Sequence, residues 1–501
     1  MRVRRGAWAL ALAERFRRSV ALSRPGGRLD AAALAAVAIL GAGCSSGQGR
    51  PDATQAPAGS VAPSVSAPSS QGGADTPGCP AGYVQPDPAR PRITLSFDLA
   101  ADLATVRGTE KVTFTPDLPV SDLVFRLTPN TPPSVDERNR LQVTAATARP
   151  AGGPFRVERA GAAEGTQGGL LVVPLGRQVP AGQQVSAELA FTLTLGQQAF
   201  DRFGHLRSYA WWGSGQPLLA WERRVGWHRE PLLRFTGESA TSEAARIDLT
   251  VTAPDRLTVL MSGVPDAPAG AGESRRRWHA VADRARDVSV AAGTFSTREG
   301  VVEGARVVVG TPQGSPPDDL LAEAERAVRE LSRRYGPPPF PVINLARLPL
   351  QGGGIEYPGS ILMLDSSRLV TVHEVAHQWF YAMVGNSQAR DPWLDEAFAT
   401  FAEGTVDGTA NAGALRLPGR VGASTAQFGS NEQAYFATVY GKGSAALTAA
   451  RQAAGPDRFD AAVRCYVNAN AWRIARPADL AGALAGLPKA IAVLRQAGAL
   501  R

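Results

Sequence analysis

From about residue 80 to residue 308 the apolar side chains of this chain recur at every second position, and beyond that at every third or fourth. No single element satisfies both rhythms, because successive side chains alternate across a strand but return to one face of a helix after 3.6 residues. The stretch "VSAELAFTLTL" shows the first rhythm, with Val185, Ala187, Leu189, Phe191, Leu193 and Leu195 on one face, and "ITLSFDL" at Ile93 and "RIDLTVT" at Arg246 repeat it. Gly- and Pro-rich segments separate these runs, as turns require. The second rhythm begins with "PDDLLAEAERAVRELSRRYGPPP", where Leu320, Leu321, Ala324, Ala327, Val328, Leu331 and Tyr335 share a helical face, acids occupy the first turn and Gly336-Pro337 ends it. A helical pattern is expected to dominate from there to the C-terminus. The expected architecture is multidomain α+β: a β-rich region over 80–310, then a mainly α region over 311–501, with the change at about 308–316.

The ends of the chain differ from this body. The formal charge is +8, but residues 1–43 hold eight Arg and two acids, leaving a nearly neutral remainder. A near-neutral body with no basic and aromatic stripe has no electrostatic footprint for nucleic acid. Arg24 and Arg28 precede "AAALAAVAILGAGC", an apolar run too short to span a bilayer as a helix but suited to a secretory signal. Its end, Leu40-Gly41-Ala42-Gly43-Cys44 followed by two serines, resembles a bacterial lipoprotein signal, which implies lipidation at Cys44 and a cell-surface anchor; a plain secretory signal is the alternative. Residues 44–79 are rich in Ser, Pro, Gly and Ala and read as a disordered tether. Cys79 and Cys465 remain, one near each end of the body. They either pair in an oxidising compartment or are unrelated.

Two of only five histidines stand four apart in "TVHEVAHQWF". A helix capped by Ser366 or Ser367 and running through Met383 to a stop at Gly385-Asn386 would put His373 and His377 one turn apart on the same face. Two neutral imidazoles suit zinc, and Glu374 between them is placed to act as general base toward a water. Separated from His377 by eighteen residues, Glu396 in "WLDEAFA" stands on a second amphipathic helix. The intervening chain is long enough to return antiparallel and supply a third, anionic ligand.

His373, Glu374, His377 and Glu396 at this spacing resemble the zinc-dependent aminopeptidase N family of gluzincin metallopeptidases. Two further blocks carry the resemblance. "GGGIEYPG" at 352–359 matches that family's exopeptidase signature, and "YFATVYGKGSAAL" at 435–447 matches its tyrosine segment. The resemblance implies one zinc ion, a saddle-like β-rich N-terminal domain and a thermolysin-like catalytic domain. It also implies that Glu356 binds the substrate's free α-amine, that Gly353 and Gly354 line the substrate, that Tyr440 stabilises the oxyanion and that Tyr435 lines the same site. Asp395 is expected to be structural or to support a ligand. His205, His228 and His279 lie in no motif and are expected at the surface or in the core.

Departures from the pattern are Ile355 for methionine, Tyr357 where many members have asparagine and Ala397 for glycine. Few residues follow Tyr440, so the cleft is expected to be open and to accept larger peptides. No residue matches the second amine-binding acid of longer members; Glu222 in "AWERR" is a candidate only by its aromatic surroundings. The expected function is an extracytoplasmic aminopeptidase acting on peptides. Its rivals are a zinc endopeptidase on the same site and a catalytically weak peptide-binding lipoprotein.

Overall fold

A twisted sheet built on the period-two segments forms the largest element of the β-rich half. The computed structural model describes residues 78–197, 202–234 and 241–501. The expected signal segment, Cys44 and all but the last two residues of the expected tether lie outside the described residues. In the main path of the large sheet, Val264–Pro265, Arg275–Ala285, Ala245–Pro254, Arg92–Leu99, Thr105–Phe114, Val185–Thr194 and Arg140–Arg149 lie side by side. Only Arg92–Leu99 and Ala245–Pro254 run parallel in that path. Alternate residues are buried, as in Val185–Thr194, so one face packs inward and the other meets solvent. Strands Val120–Arg126 and Leu170–Val179, from a second sheet, place Leu123, Phe125, Leu171 and Val173 in the same core as Leu95, Phe97 and Phe191.

A five-stranded sheet organises the second half, in the order Phe295–Val302, Ala305–Pro312, Val342–Arg347, Ser360–Met363 and Gly354–Tyr357. Helix α1, Asp318–Tyr335, connects the parallel pair Ala305–Pro312 and Val342–Arg347. It buries Leu320, Ala324, Ala327, Val328, Leu331 and Tyr335 as expected, while Leu321 is only partly buried. Burial of each Leu or Val among these contributes about 1.5–3 kcal/mol. The change of hydrophobic period near 308–316 thus falls at the junction of strand Ala305–Pro312 and α1, after a sheet that has already begun at Phe295.

Helix dominates from there onward, as expected, but three strands that the helical pattern did not indicate interrupt it. Val342–Arg347, Gly354–Tyr357 and Ser360–Met363 are strands whose residues are almost all buried. Covered on both faces, they have no polar alternation, so a period-two search passes over them. Strand Gly354–Tyr357 is at the sheet edge and antiparallel to Ser360–Met363.

The helices that follow include α2, Arg368–Ala376; α3, Trp393–Asp407; α4, Gly443–Ala454; and α5, Pro456–Asn470. Helix α2 begins after Ser367 as expected but ends at Ala376, not near Met383. Its final turns widen: Ala382, Met383 and Val384 donate their N–H groups to His377, Gln378 and Trp379, five residues back. Tyr381, five residues beyond the end of α2, takes φ +99° within that turn, so the chain does not return to helix there. The buried Arg286 guanidinium donates to the carbonyls of Ser242, Ala382 and Met383, tying the end of this turn to the β-rich half.

Cys79 and Cys465 form a disulfide, with Cα atoms 5.3 Å apart. It fixes the start of the described chain to α5, where Asn468 also donates to the Pro80 carbonyl and accepts from the Val84 N–H. Among the described residues no helix is long and apolar enough to cross a membrane.

Candidate metal centre

His373 on α2, His377 directly after its last residue and Glu396 on α3 present two imidazoles and one carboxylate to a single buried point. His373 Nε2 and His377 Nε2 are 3.2 Å apart, and Glu396 Oε2 lies 3.4 Å from the first and 3.3 Å from the second. All three residues are at least 97% buried. Ligands held about 2.0–2.1 Å from a tetrahedral ion stand roughly 3.3 Å from one another, so the triangle has the dimensions of one face of a zinc site. Glu396 Oε2 has no hydrogen-bond partner among the described residues although both ring nitrogens are close. A cation would satisfy that oxygen, and the donor set of two nitrogens and one oxygen fits zinc.

Supporting residues orient these ligands. Asp395 Oδ1 accepts from His377 Nδ1 at 2.7 Å, which leaves the His377 Nε2 lone pair facing the centre. Gln388 Nε2 donates to the other Asp395 oxygen at 3.3 Å. Glu403 Oε2 lies 3.5 Å from His373 Nδ1. Neither Gln388 nor Glu403 was expected from sequence. Glu403 had a readable signal, since it follows Glu396 by seven residues, two turns along α3; Gln388 had none.

The electrostatics follow from burial and this ring of acids. Burial pulls the His373 imidazole down, but Glu396 and Glu403 outweigh it and push it up to about 9. His377 behaves alike: burial opposes its charge, while Glu356, Asp395 and Glu396 raise it well above the ordinary range. Burial would raise Glu396, yet the two imidazoles hold it well below the usual carboxylate range. The pocket favours positive charge at its centre.

Glu374 and Glu356 are both buried beside these groups. Glu356 projects from the edge strand Gly354–Tyr357, and an oxygen of it lies within 4.8 Å of ligand atoms of both His377 and Asp395. Gly354, on the same strand, passes over Glu374: a Cβ built there would lie 2.5 Å from its Cγ and 2.9 Å from its Oε1. The Gly353 carbonyl accepts from the Leu364 and Asp365 N–H groups, at 2.8 and 3.0 Å, which pins the loop before the strand.

Tyr440 sits on a seven-residue π-helix, Phe436–Lys442. Such local widening turns a side chain out of α-helical register and often marks a functional site. The Tyr440 ring stacks on His373, with centroids 5.9 Å apart and planes 4° from parallel. Tyr435 meets Tyr440 edge-on at 5.8 Å but is itself fully buried, so it supports that ring from behind.

Glu222 does not fit an amine-binding role. Its Oε2 accepts from His228 Nε2 at 2.6 Å and from Arg390, and its Oε1 accepts from Arg476 at 2.9 Å. Two arginines and an imidazole already hold this buried carboxylate in a cluster of its own. His228 is buried within this cluster, His205 Nδ1 contacts the Leu195 carbonyl, and His279, on strand Arg275–Ala285 of the large sheet, bridges Asp248 and Asp266. Among the described residues none of these three joins a metal-ligand group.

No protein-family model matches the chain. A segment of 178 residues, 31% of the chain, is 25% identical to Leucine aminopeptidase 2 of Aspergillus fumigatus, and one of 115 residues, 19% of the chain, is 30% identical to Probable aminopeptidase 1 of Sulfurisphaera tokodaii. The chain spans only 28% and 15% of the lengths of these two proteins. Among solved structures, the M1 zinc metallopeptidase from Deinococcus radiodurans superposes with a TM-score of 0.60 at 21% identity, covering 81% of this chain and 92% of that one. A mutant of that protein bound to a Tyr-Ser-Ala substrate gives 0.60 at 20% identity, covering 82% and 94%. The chain therefore shares the fold of these M1 zinc metallopeptidases.

Proposed function

We propose that this protein is a zinc metallopeptidase that removes N-terminal residues from peptides outside the cytoplasm. The observation that carries the reading is the buried triangle of His373 Nε2, His377 Nε2 and Glu396 Oε2, with edges of 3.2–3.4 Å, which fits one zinc ion. Zinc held there would polarise the scissile carbonyl and lower the pKa of water. Glu374 takes the proton of the attacking water and delivers it to the leaving amine. Tyr440 donates its phenolic hydrogen to the oxygen that gains charge in the tetrahedral intermediate. Glu356 pairs with the free ammonium of the substrate, which distinguishes a chain terminus from an internal amide. Gly353 and Gly354 present backbone, without side chains, to the substrate. The relative bound to Tyr-Ser-Ala supports a peptide as the substrate class.

The β-rich residues 80–310 act in this reading as a scaffold, and 311–501 carry the chemistry. Export is supported by the apolar segment before Cys44 and by the Cys79–Cys465 disulfide, a bond that persists in oxidising compartments. Attachment through a lipidated Cys44 is part of the proposal; loss of metabolic fatty-acid labelling on Cys44→Ala tests it.

The test of activity is hydrolysis of a panel of aminoacyl fluorogenic amides by the full chain, before and after chelation and zinc restoration. Cleavage that disappears with chelator and returns with zinc is expected. Equal cleavage of free and N-acetylated forms of one peptide contradicts the amine-binding role of Glu356 and moves the assignment to an endopeptidase.

A further inference from the structure

The turn at 386–391, between α2 and α3, is tied to the β-rich half by Arg390. Its Nη2 donates to Glu222 Oε2, and its Nη1 donates to Glu230 Oε1 at 3.3 Å. Glu222 is almost fully buried, and His228 and Arg476 hold its position. A buried carboxylate whose two oxygens are both committed is a fixed anchor, unlike a mobile surface acid.

On the loop side, the Ser387 carbonyl accepts from the N–H groups of Arg390 and Asp391 at 3.1 and 2.7 Å, and Asn386 Nδ2 donates to the Asp391 carbonyl at 3.1 Å. These bonds close 386–391 into a compact turn. From that turn Gln388 reaches Asp395 Oδ2 at 3.3 Å, while Asp395 Oδ1 holds His377 Nδ1 at 2.7 Å. One set of contacts thus joins Glu222 to Arg390 and another joins Gln388 through Asp395 to a metal-facing imidazole, and the backbone of the compact turn links the two.

We propose that Arg390 is a positioning residue for the metal centre: clamped between Glu222 and Glu230, it sets the turn that places Gln388 on Asp395 and so orients His377. The inference rests on the reading of His377 as a zinc ligand. It makes the β-rich half a contributor to metal retention as well as a scaffold. A purely structural ion pair between the halves would alter stability and leave zinc affinity unchanged, which separates the two possibilities.

The experiment measures the zinc dissociation constant of the full chain by competition with a fluorescent chelator, a readout that needs no peptide. Arg390→Lys keeps the charge but loses the planar fork that spans two carboxylates, and Arg390→Ala removes both. Losing partners that orient a ligating histidine weakens metal binding about 10- to 100-fold, so Gln388→Leu is expected near 10-fold and Arg390→Lys at roughly 3- to 10-fold. The double variant is expected to bind no more weakly than Gln388→Leu alone, because both changes cut the same path. Arg451→Ala serves as the control: it breaks the two-bond pair with Asp460 that joins α4 to α5, and should lower the melting temperature with zinc affinity intact. Unchanged zinc affinity in both Arg390 variants overturns the proposal, as does a double variant whose loss is the product of the two single losses. A wild-type chain that fails to bind zinc overturns it together with the ligand assignment.

Discussion

Gly354 leaves no room for a Cβ beside Glu374: one built there would lie 2.5 Å from Cγ and 2.6 Å from Cδ of the carboxylate side chain. The edge strand and the metal helix are therefore in contact at the position where the general base must be aimed. Replacement by alanine should displace Glu374 without touching a ligand. A misplacement of about 1 Å costs on the order of 100-fold in rate, so Gly354→Ala should lower kcat by about that factor while zinc content stays near one per chain. Metal analysis beside steady-state kinetics checks both halves of the prediction.

Glu374→Gln removes the proton acceptor but preserves size and burial. Loss of a positioned general base costs about 100- to 10,000-fold. Zinc should be retained and turnover should fall by that amount; a variant with full activity would falsify the proposed mechanism.

Asp395 orients His377 from the side opposite the metal position. Asp395→Asn retains the shape but replaces a charged acceptor with a neutral one. Zinc affinity should drop by about 10- to 100-fold, and activity should be largely restored by excess zinc. Titration of activity against free zinc measures the shift.

His228 provides a pH-dependent contribution to stability. Burial opposes its charge, but hydrogen bonds to Glu222 and Glu230 outweigh burial and raise its pKa above 6.5. The same imidazole, with Arg390, holds Glu230 down to about 2 against its own burial. A histidine whose pKa is higher folded than unfolded stabilises fully below the unfolded value, and the contribution fades as pH rises through the folded one. The melting-temperature advantage of wild type over His228→Gln should be greatest below about pH 6.5, near the ordinary histidine pKa, and should shrink steadily above it. Melting curves from pH 5.5 to 9 read this directly, and an advantage that grows with pH would contradict the assignment.

Much of the centre was legible because its spacing is local. His373 and His377 are one helical turn apart wherever a helix forms, and Glu396 returns on the next helix. Glu222 shows the opposite case. Its aromatic neighbours in sequence suggested a substrate-facing acid, yet its partners, Arg390 and Arg476, come from 168 and 254 residues away. The strands Val342–Arg347 and Ser360–Met363 are illegible in the sequence for a related reason, since burial on both faces erases the alternation that marks a strand.

By itself, then, the sequence determined what short-range geometry dictates: the β-rich and helix-bearing halves, the face of α1, the pairing of two imidazoles and the acid between them. Tertiary structure alone decided the features that depend on segments meeting across the fold. These are the seat of Gly354 against Glu374, the stacking of Tyr440 on His373, the disulfide joining Cys79 to Cys465, and the arginine-held turn behind His377. The physical reason is range. Backbone periodicity and helical spacing act over a few residues, whereas close packing, buried charge pairing and ligand convergence exist only after distant segments have been brought into contact.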